Sequence, residues 1–471
     1  MSEAVDVTST RSNGETDSRD SRASGSLIDL LVERYGHHDL RNQAHLAKRP
    51  FRVAKETQFP TLRRAWLVIP VGVRIALIYF VTRAITTLIM LAYARNQEDS
   101  WQIHAQPNYV EFANIWDAVW YKRVATEGYP TELPMDDEGH VTENSWAFMP
   151  VYPMLIRVLM VITGLGFEPL AIIVSLAAGL GAAYAFYSLA RRLVDPDAAM
   201  FSVLLLGVLP TAPMFQVGYA ESLHLFFLAI LLILLIDRHY MTMLPVIVVA
   251  SLTRPTGLAW ALTLVLFFIY RWWMDRAQQE RFPGSERVQL GLAVVVSIVS
   301  GFLWLIIAWI VTGSFSAYTD TEFAWRSRFT GWDAPHFPFT GWFLGLKFWM
   351  GHANDGTIPE PWAGVVEWAL AILIVLAFFG LSFWLLTRPF ARRLGMEVRL
   401  WCVSYLLYLF AVFFPQSSTF RLLMPLAPAV PVAAVPHSPV YRVGVVALSI
   451  VLQIRWFGMC WFVDPGDWSP P

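Results

Sequence analysis

Long apolar runs constrain this chain more than any motif it carries. Near-uncharged stretches of roughly 17 to 25 residues recur along it, the length needed to cross the hydrocarbon core of a bilayer. Helical spans are expected at about 69–93, 169–190, 198–213, 219–236, 241–252, 258–273, 289–312, 363–386, 399–414, 420–436 and 440–457. The fold class is therefore all-α, a polytopic transmembrane helical bundle of about eleven crossings. Composition agrees: 56% of the 471 residues are hydrophobic and the mean hydropathy is +0.47, against roughly 45–50% apolar residues in soluble proteins.

Charge placement sets the expected orientation, because cytoplasmic loops retain Lys and Arg. Arg63, Arg64 and Arg74 put the start of the first span inside. The basic loops around Arg191 and Arg192, around Arg271, Arg276, Arg281 and Arg287, and around Arg388, Arg392, Arg393 and Arg399 then also fall inside. This works only if 149–164, which carries Pro150, Pro153 and Arg157, lies along the outer face as a juxtamembrane helix. The expected domains are a polar, partly disordered cytosolic tail (1–65, with a short helix at 27–35) and a transmembrane domain (66–460). Outer loops fall at 94–147 and 313–362, and an outer C-terminal tail at 461–471. The tail lacks the basic start, apolar core and cleavage site of a signal peptide. Its bland reading is a linker.

The balance of 35 basic against 36 acidic residues gives no sign of a nucleic-acid partner. With only Cys402 and Cys460, neither a disulfide framework nor a thiolate metal site is supported. Nucleotide fingerprints, a P-loop and HExxH are all missing from the sequence, and Asp136 and Asp137 read as a solvated loop, so no cofactor or metal is expected.

The most informative stretch is 114–129, NIWDAVWYKRVATEGY. As a helix it puts Asp117, Tyr121 and Val124 on one side, holding the Asp117 carboxylate beside Trp116, Trp120 and Tyr121 at the water boundary, where it can act as a base. The bland alternative is that Asp117 caps a helix or pairs with Lys122 or Arg123. Other costly polar groups fall on the same expected outer surface: Tyr219 and Glu221, Arg254, Arg326 and Arg328, and Arg421. Charges at the ends of spans face a cavity or a partner by default, although a single Arg usually snorkels and Glu221 could do no more than neutralise Arg254. Their convergence points to an anion-binding cavity. Guanidinium groups pair with phosphate, and a phosphate-bearing lipid is the anion a membrane cavity can reach.

Five segments resemble the PIG-V-type mannosyltransferases, membrane glycosyltransferases of the GT-C class. WDAVWYKRVATEGY is similar to the family's WD-x-x-H-[FY]-x-x-I-A-x-x-G-Y signature, and SWAFMPVYPMLIRVL to its AFFPLYPLLIR segment. GYAESLHLFFLAILL resembles its Y-[ST]-E-S-L-F run, SLTRPTGLAW its T-R-x-x-G turn, and FRLLMPLAP its R-[YF]-L-L-P-L-x-P segment. They occur in the family's order between about 112 and 430. The resemblance implies a GT-C bundle with a juxtamembrane helix after the first outer loop. It also implies inverting transfer of mannose from a polyprenyl-phosphate donor to a lipid- or glycan-linked acceptor on the extracytoplasmic face, without a nucleotide. The catalytic carboxylate falls on Asp117. Trp120 stands where the family has His, which leaves another sugar such as arabinofuranose open. Bacterial relatives with such a tail act on envelope glycans at the plasma membrane.

The expected roles follow. Asp117 is the general base, Arg254 and Arg421 contact the donor phosphate, and Glu221, Tyr219 and Tyr152 shape the pocket with Trp116, Trp120, Tyr121, Arg326 and Arg328. The rival readings are a polyprenyl-lipid flippase or transporter and a scaffold without chemistry.

Overall fold

The structure, a computed structural model, describes residues 65–335, 337–353 and 362–463. Nearly all of the two expected tails, 1–65 and 461–471, lies outside the described residues. Within them the fold is all-α, with no strand and one isolated antiparallel bridge between Met135 and Val141.

Fourteen helices carry the fold in chain order: α1 (Val71–Asn96), α2 (Asp117–Thr126), α3 (Val151–Thr163), α4 (Phe167–Leu193), α5 (Pro196–Val208), α6 (Glu221–Ile236), α7 (Tyr240–Ser251), α8 (Gly257–Arg276), α9 (Gly284–Thr312), α10 (Ala317–Thr330), α11 (Thr340–Ala353), α12 (Trp362–Thr387), α13 (Gly395–Val412) and α14 (Pro439–Cys460). Seven helices of the described residues are long and apolar enough to cross a membrane. These coincide with seven of the eleven expected spans, and the protein is a multi-pass membrane protein. The other four expected spans fall on the shorter α5, α6 and α7 and on a broken segment. That segment, expected as one span at 420–436, divides into the short turns Thr419–Leu422, Met424–Ala429 and Val430–Ala433. Pro425, Pro428 and Pro431 each remove a backbone donor, which prevents a continuous helix.

Local signals explain where the helices begin and end. The Asp195 carboxylate accepts the amides of Asp197 and Ala198 to cap α5, whose first residue is Pro196. Ser438 does the same for α14 ahead of Pro439. In α4, Arg191 and Arg192 occupy the last turn, where positive charge complements the helix dipole.

The core sits where α1, α4, α5, α6 and α8 pack, with α13 completing the far wall. Small residues permit the close approach: a Cβ on Gly179 of α4 would stand 2.4 Å from the Tyr79 hydroxyl of α1. Helix α3 has 13 residues and is about 20 Å long, short of the roughly 30 Å hydrocarbon thickness. Tyr152, Pro153 and Ile156 face inward from it, while Val158, Val161 and Ile162 are exposed.

One charge lies deep inside an expected span. Arg83, midway along α1, is 4% exposed and donates to the Gly207 carbonyl (2.6 Å), the Ala212 carbonyl (2.5 Å) and Gln216 Oε1 (3.2 Å). The interior of the first expected span therefore holds a charge. Its ligands explain its place: Arg83 ties down 207–216, the chain that leads to Glu221.

Among the described residues, the expected second outer loop is largely helical, formed by α10 and α11. Two of its tryptophans are tied into the fold. Trp342 is buried and donates its indole N–H to the Leu409 carbonyl at 2.9 Å, and Trp349 reaches the Pro415 carbonyl at 2.9 Å.

Candidate functional site: a charged cavity beside the first loop

Helix α2 starts at Asp117, directly after a backbone reversal at Trp116, whose φ of 60° and ψ of −124° are strained for a residue with a side chain. Two contacts hold that geometry. The Asp117 amide donates to the Tyr219 hydroxyl at 3.1 Å, and the Gly218 amide donates to the Ala113 carbonyl at 3.0 Å. Gly218 permits that close approach, because an added Cβ would lie 2.4 Å from Asn114 Oδ1 and 3.0 Å from the Ala118 Cβ. Behind it, the Tyr152 hydroxyl meets Ser175 Oγ (2.9 Å), and Ser175 donates to the Tyr219 carbonyl (3.2 Å). The first loop, α3, α4 and the start of α6 are thereby tied together under the Asp117 side chain.

Four charges from distant segments meet above this scaffold. The Asp117 carboxylate is ion-paired with Arg421; Arg421 also reaches Glu221 at 3.5 Å, and Glu221 pairs with Arg254 at 3.0 Å. The Arg421 guanidinium stands 5.1 Å from the centre of the Tyr219 ring. Glu221 is buried at the first turn of α6, where the helix dipole favours a carboxylate. Arg254 projects from the turn between α7 and α8. That turn is pinned by the Val151 amide on the Leu252 carbonyl (3.1 Å) and by His224 Nε2 against Thr256 Oγ1 (3.1 Å). Asp117, Glu221, Arg254 and Arg421 all line one cavity of about 480 Å³.

The sequence-derived candidates divide into two groups. Asp117, Glu221, Arg254, Arg326, Arg328 and Arg421 line the cavity. Arg326 donates to the Val412 carbonyl at 3.1 Å, and Arg328 joins Glu143 of the first loop at 3.0 Å. Trp116, Trp120, Tyr121, Tyr152 and Tyr219 are not among the lining residues. Tyr121, Tyr152 and Tyr219 are buried with their rings edge to edge, behind the wall and not in it. Trp120 stacks on Phe148 with ring centres 5.7 Å apart and meets Trp325 edge-on, with Arg123 over its face. It backs the two aromatics that do line the cavity. Lys122 pairs with Glu168, so neither neighbouring base is the partner of Asp117.

Several lining residues are not among the expected site residues. Glu322 and Tyr318 of α10 face the cavity together with Tyr408 of α13, Trp325 and Glu143. Glu322 is exposed on the cavity lining, and desolvation by the protein around it holds its carboxyl above the usual range. Burial also raises Glu143, against the opposing pull of Arg328. The spacing 318, 322, 325/326, 329 is a helical face, but it lies in a loop whose helicity is not evident from its composition.

Among the described residues, two groupings could hold a metal ion by proximity, Asp136 with Glu138 and His140, and Asp195 with Asp197 and His437. Neither belongs to the cavity lining.

No protein-family model matches the chain, and no curated protein does. Among solved structures it is similar to the oligosaccharyltransferase of Archaeoglobus fulgidus in its apo form, with 13% identity and a TM-score of 0.41 over 83% of this chain and 56% of that one. It is also similar to the complex of that enzyme with Zn and sulfate (14%, 0.40, 80% and 52%). A third likeness is to archaeal oligosaccharyltransferase AglB in complex with an inhibitory peptide and a dolichol-phosphate (13%, 0.38, 85% and 56%). The chain spans about half the length of these structures, and the reading below rests on the cavity itself.

Proposed function

We propose that the protein is an inverting glycosyltransferase of the GT-C class, and that it moves a sugar from a polyprenyl-phosphate donor to a lipid- or glycan-linked acceptor. The resemblance of five motifs favours mannose as the sugar. The reaction takes place on the extracytoplasmic face of the plasma membrane, with the N-terminus in the cytoplasm. One observation carries this reading: a carboxylate from the first loop and guanidiniums from two other segments line one cavity. Its volume falls within the roughly 300–1,000 Å³ of small-ligand sites.

In this reaction the acceptor hydroxyl oxygen attacks the anomeric carbon and the bond from that carbon to the phosphate oxygen breaks. The hydroxyl proton passes to the Asp117 carboxylate, and the lipid leaves as its phosphate. Arg421 and Arg254 meet the charge that grows on that phosphate, and no metal is called on. In the resting arrangement Arg421 holds Asp117. A donor phosphate that takes over the guanidinium leaves the carboxylate to serve as base. Glu221 keeps both arginines oriented, and Tyr219 fixes the start of α2.

Asp117→Asn keeps the shape of the side chain and removes its basicity. Loss of a general base costs about 10²- to 10⁴-fold in rate, or about 3–5 kcal/mol in the barrier. The test is transfer of label from polyprenyl-phosphate mannose in membranes of a deletion strain carrying the wild type or the variant, with envelope glycolipids compared by mass spectrometry. Near-native transfer by Asp117→Asn would sink the assignment.

A further inference from the structure

Helix α10 shows two adjacent stripes of different chemistry. Ala317, Thr321 and Ala324 are buried and dock on the first loop, where Thr321 exchanges hydrogen bonds with Asn144 at 2.9 and 3.2 Å. The neighbouring stripe, Tyr318, Glu322 and Trp325 at i, i+4 and i+7, faces the cavity. Structure alone does not call for this second stripe. Glu322 is exposed on the lining of this cavity, and its two carboxylate oxygens offer about four acceptor positions to a ligand.

The lining of the cavity suits different parts of one substrate. Arg254 and Arg421, already paired with carboxylates, present guanidiniums to an anion. The Glu322 carboxylate, within the influence of Arg326 and Arg254, lines the same cavity with the rings of Trp325, Tyr318 and Tyr408. Flat rings that cover apolar C–H faces, beside an acceptor of several hydroxyl hydrogen bonds, suit a carbohydrate ring and suit neither a phosphate nor an alkyl chain.

We propose that the α10 wall is a carbohydrate-ring subsite, with Glu322 accepting hydrogen bonds from ring hydroxyls and Trp325 covering a ring face. This rests on the glycosyltransferase reading and adds to it a residue that fixes which sugar the cavity accepts. The ring can come from the donor or from the acceptor, since both bring the same chemistry to the same cavity.

The test uses the full chain in detergent and saturation-transfer NMR with two probes, methyl α-D-mannopyranoside and methyl α-D-arabinofuranoside, while binding of farnesyl phosphate is followed separately. The wild type gives a ring signal for at least one glycoside, and farnesyl phosphate alone does not remove it. Glu322→Gln weakens that glycoside about tenfold or more, the cost of losing charge-assisted hydrogen bonds, and leaves farnesyl phosphate affinity within about twofold. If Glu322→Gln fails to bind farnesyl phosphate and so has not folded, Trp325→Leu decides by the same readout. Displacement of the ring by farnesyl phosphoryl-mannose, but not by farnesyl phosphate, assigns it to the donor; persistence with both assigns it to the acceptor. The proposal is overturned if neither glycoside binds, if farnesyl phosphate alone displaces the ring, or if a folded variant binds it as the wild type does. Failure of the glycosyltransferase reading would appear separately, as retained transfer by Asp117→Asn.

Discussion

Arg421→Met offers a thermodynamic test of the charge cluster that does not depend on knowing the substrate. The Arg421 side chain is 8% exposed and its partners Asp117 and Glu221 are 18% and 5% exposed. Removing the guanidinium leaves two carboxylates facing Arg254 alone. Breaking a buried ion pair by deleting one partner costs about 3–5 kcal/mol, because the other charge is stranded. Asp117 keeps some access to the cavity, so the lower end, about 3 kcal/mol, is expected. The informative comparison is the double variant. Neutralising the stranded carboxylate with Asp117→Asn on top of Arg421→Met should recover about 1–2 kcal/mol, within the range of direct couplings. Thermal melting of the four proteins in lipid nanodiscs should therefore rank Arg421→Met lowest, with the double variant a few degrees above it. A double variant that melts at or below Arg421→Met would refute the idea that the pair is energetically coupled. It would leave Arg421 as a packing residue over the Tyr219 ring.

Two further outcomes follow from the same geometry. Glu322 has its carboxyl raised by burial, so between its unfolded and folded titrations the native state binds the extra proton, and the stability that proton brings is present at acid pH and lost as pH rises. Glu322→Gln should therefore match the wild type in melting temperature at acid pH and exceed it at neutral pH; a variant less stable at neutral pH would contradict the sign. Gly218→Ala forces a Cβ to within 2.4 Å of Asn114 Oδ1. It should destabilise by about 1–3 kcal/mol and lower transfer more than donor binding, because it moves the start of α2. Wild-type melting and turnover would show that the close approach is slack.

Apolar run length located most of the bundle, because in a membrane burial and helix length are set by the same continuous signal. It misled where proline breaks the run, at 424–433, and where a turn of structure depends on a buried charge. Arg83 was legible in principle, as an arginine midway along an apolar run, yet its partners are carbonyls more than a hundred residues away that no local pattern reveals. The charged half of the cavity was legible as well: Asp117, Glu221, Arg254 and Arg421 each stand at the edge of an apolar run, and the alternation of loops gathers such edges. The aromatic half was not. Tyr318, Glu322 and Trp325 lie in a polar loop segment whose helical phase matters only once the first loop supplies Asn144 and Trp146 to dock against. Tyr121, Tyr152 and Tyr219 lie beside the cavity but in the layer behind its wall, since spacing places a ring on a helix face without giving its depth.

The ion pair between Asp117 and Arg421 bears on the order of events under the proposed function. The guanidinium that holds the Asp117 carboxylate is also, with Arg254, one of the cations offered to the donor phosphate. It cannot serve both fully at once, so under the proposed function arrival of the donor phosphate loosens its hold on Asp117 and leaves the carboxylate oxygens open to the acceptor hydroxyl. An acceptor that enters first meets a carboxylate still engaged, and its hydroxyl keeps its proton. Glu221 makes the exchange possible without leaving a cation unpaired, because it touches both Arg421 and Arg254. Under the proposed function, donor occupancy and access to the carboxylate are thereby coupled through one side chain, so that deprotonation of the acceptor waits on the donor.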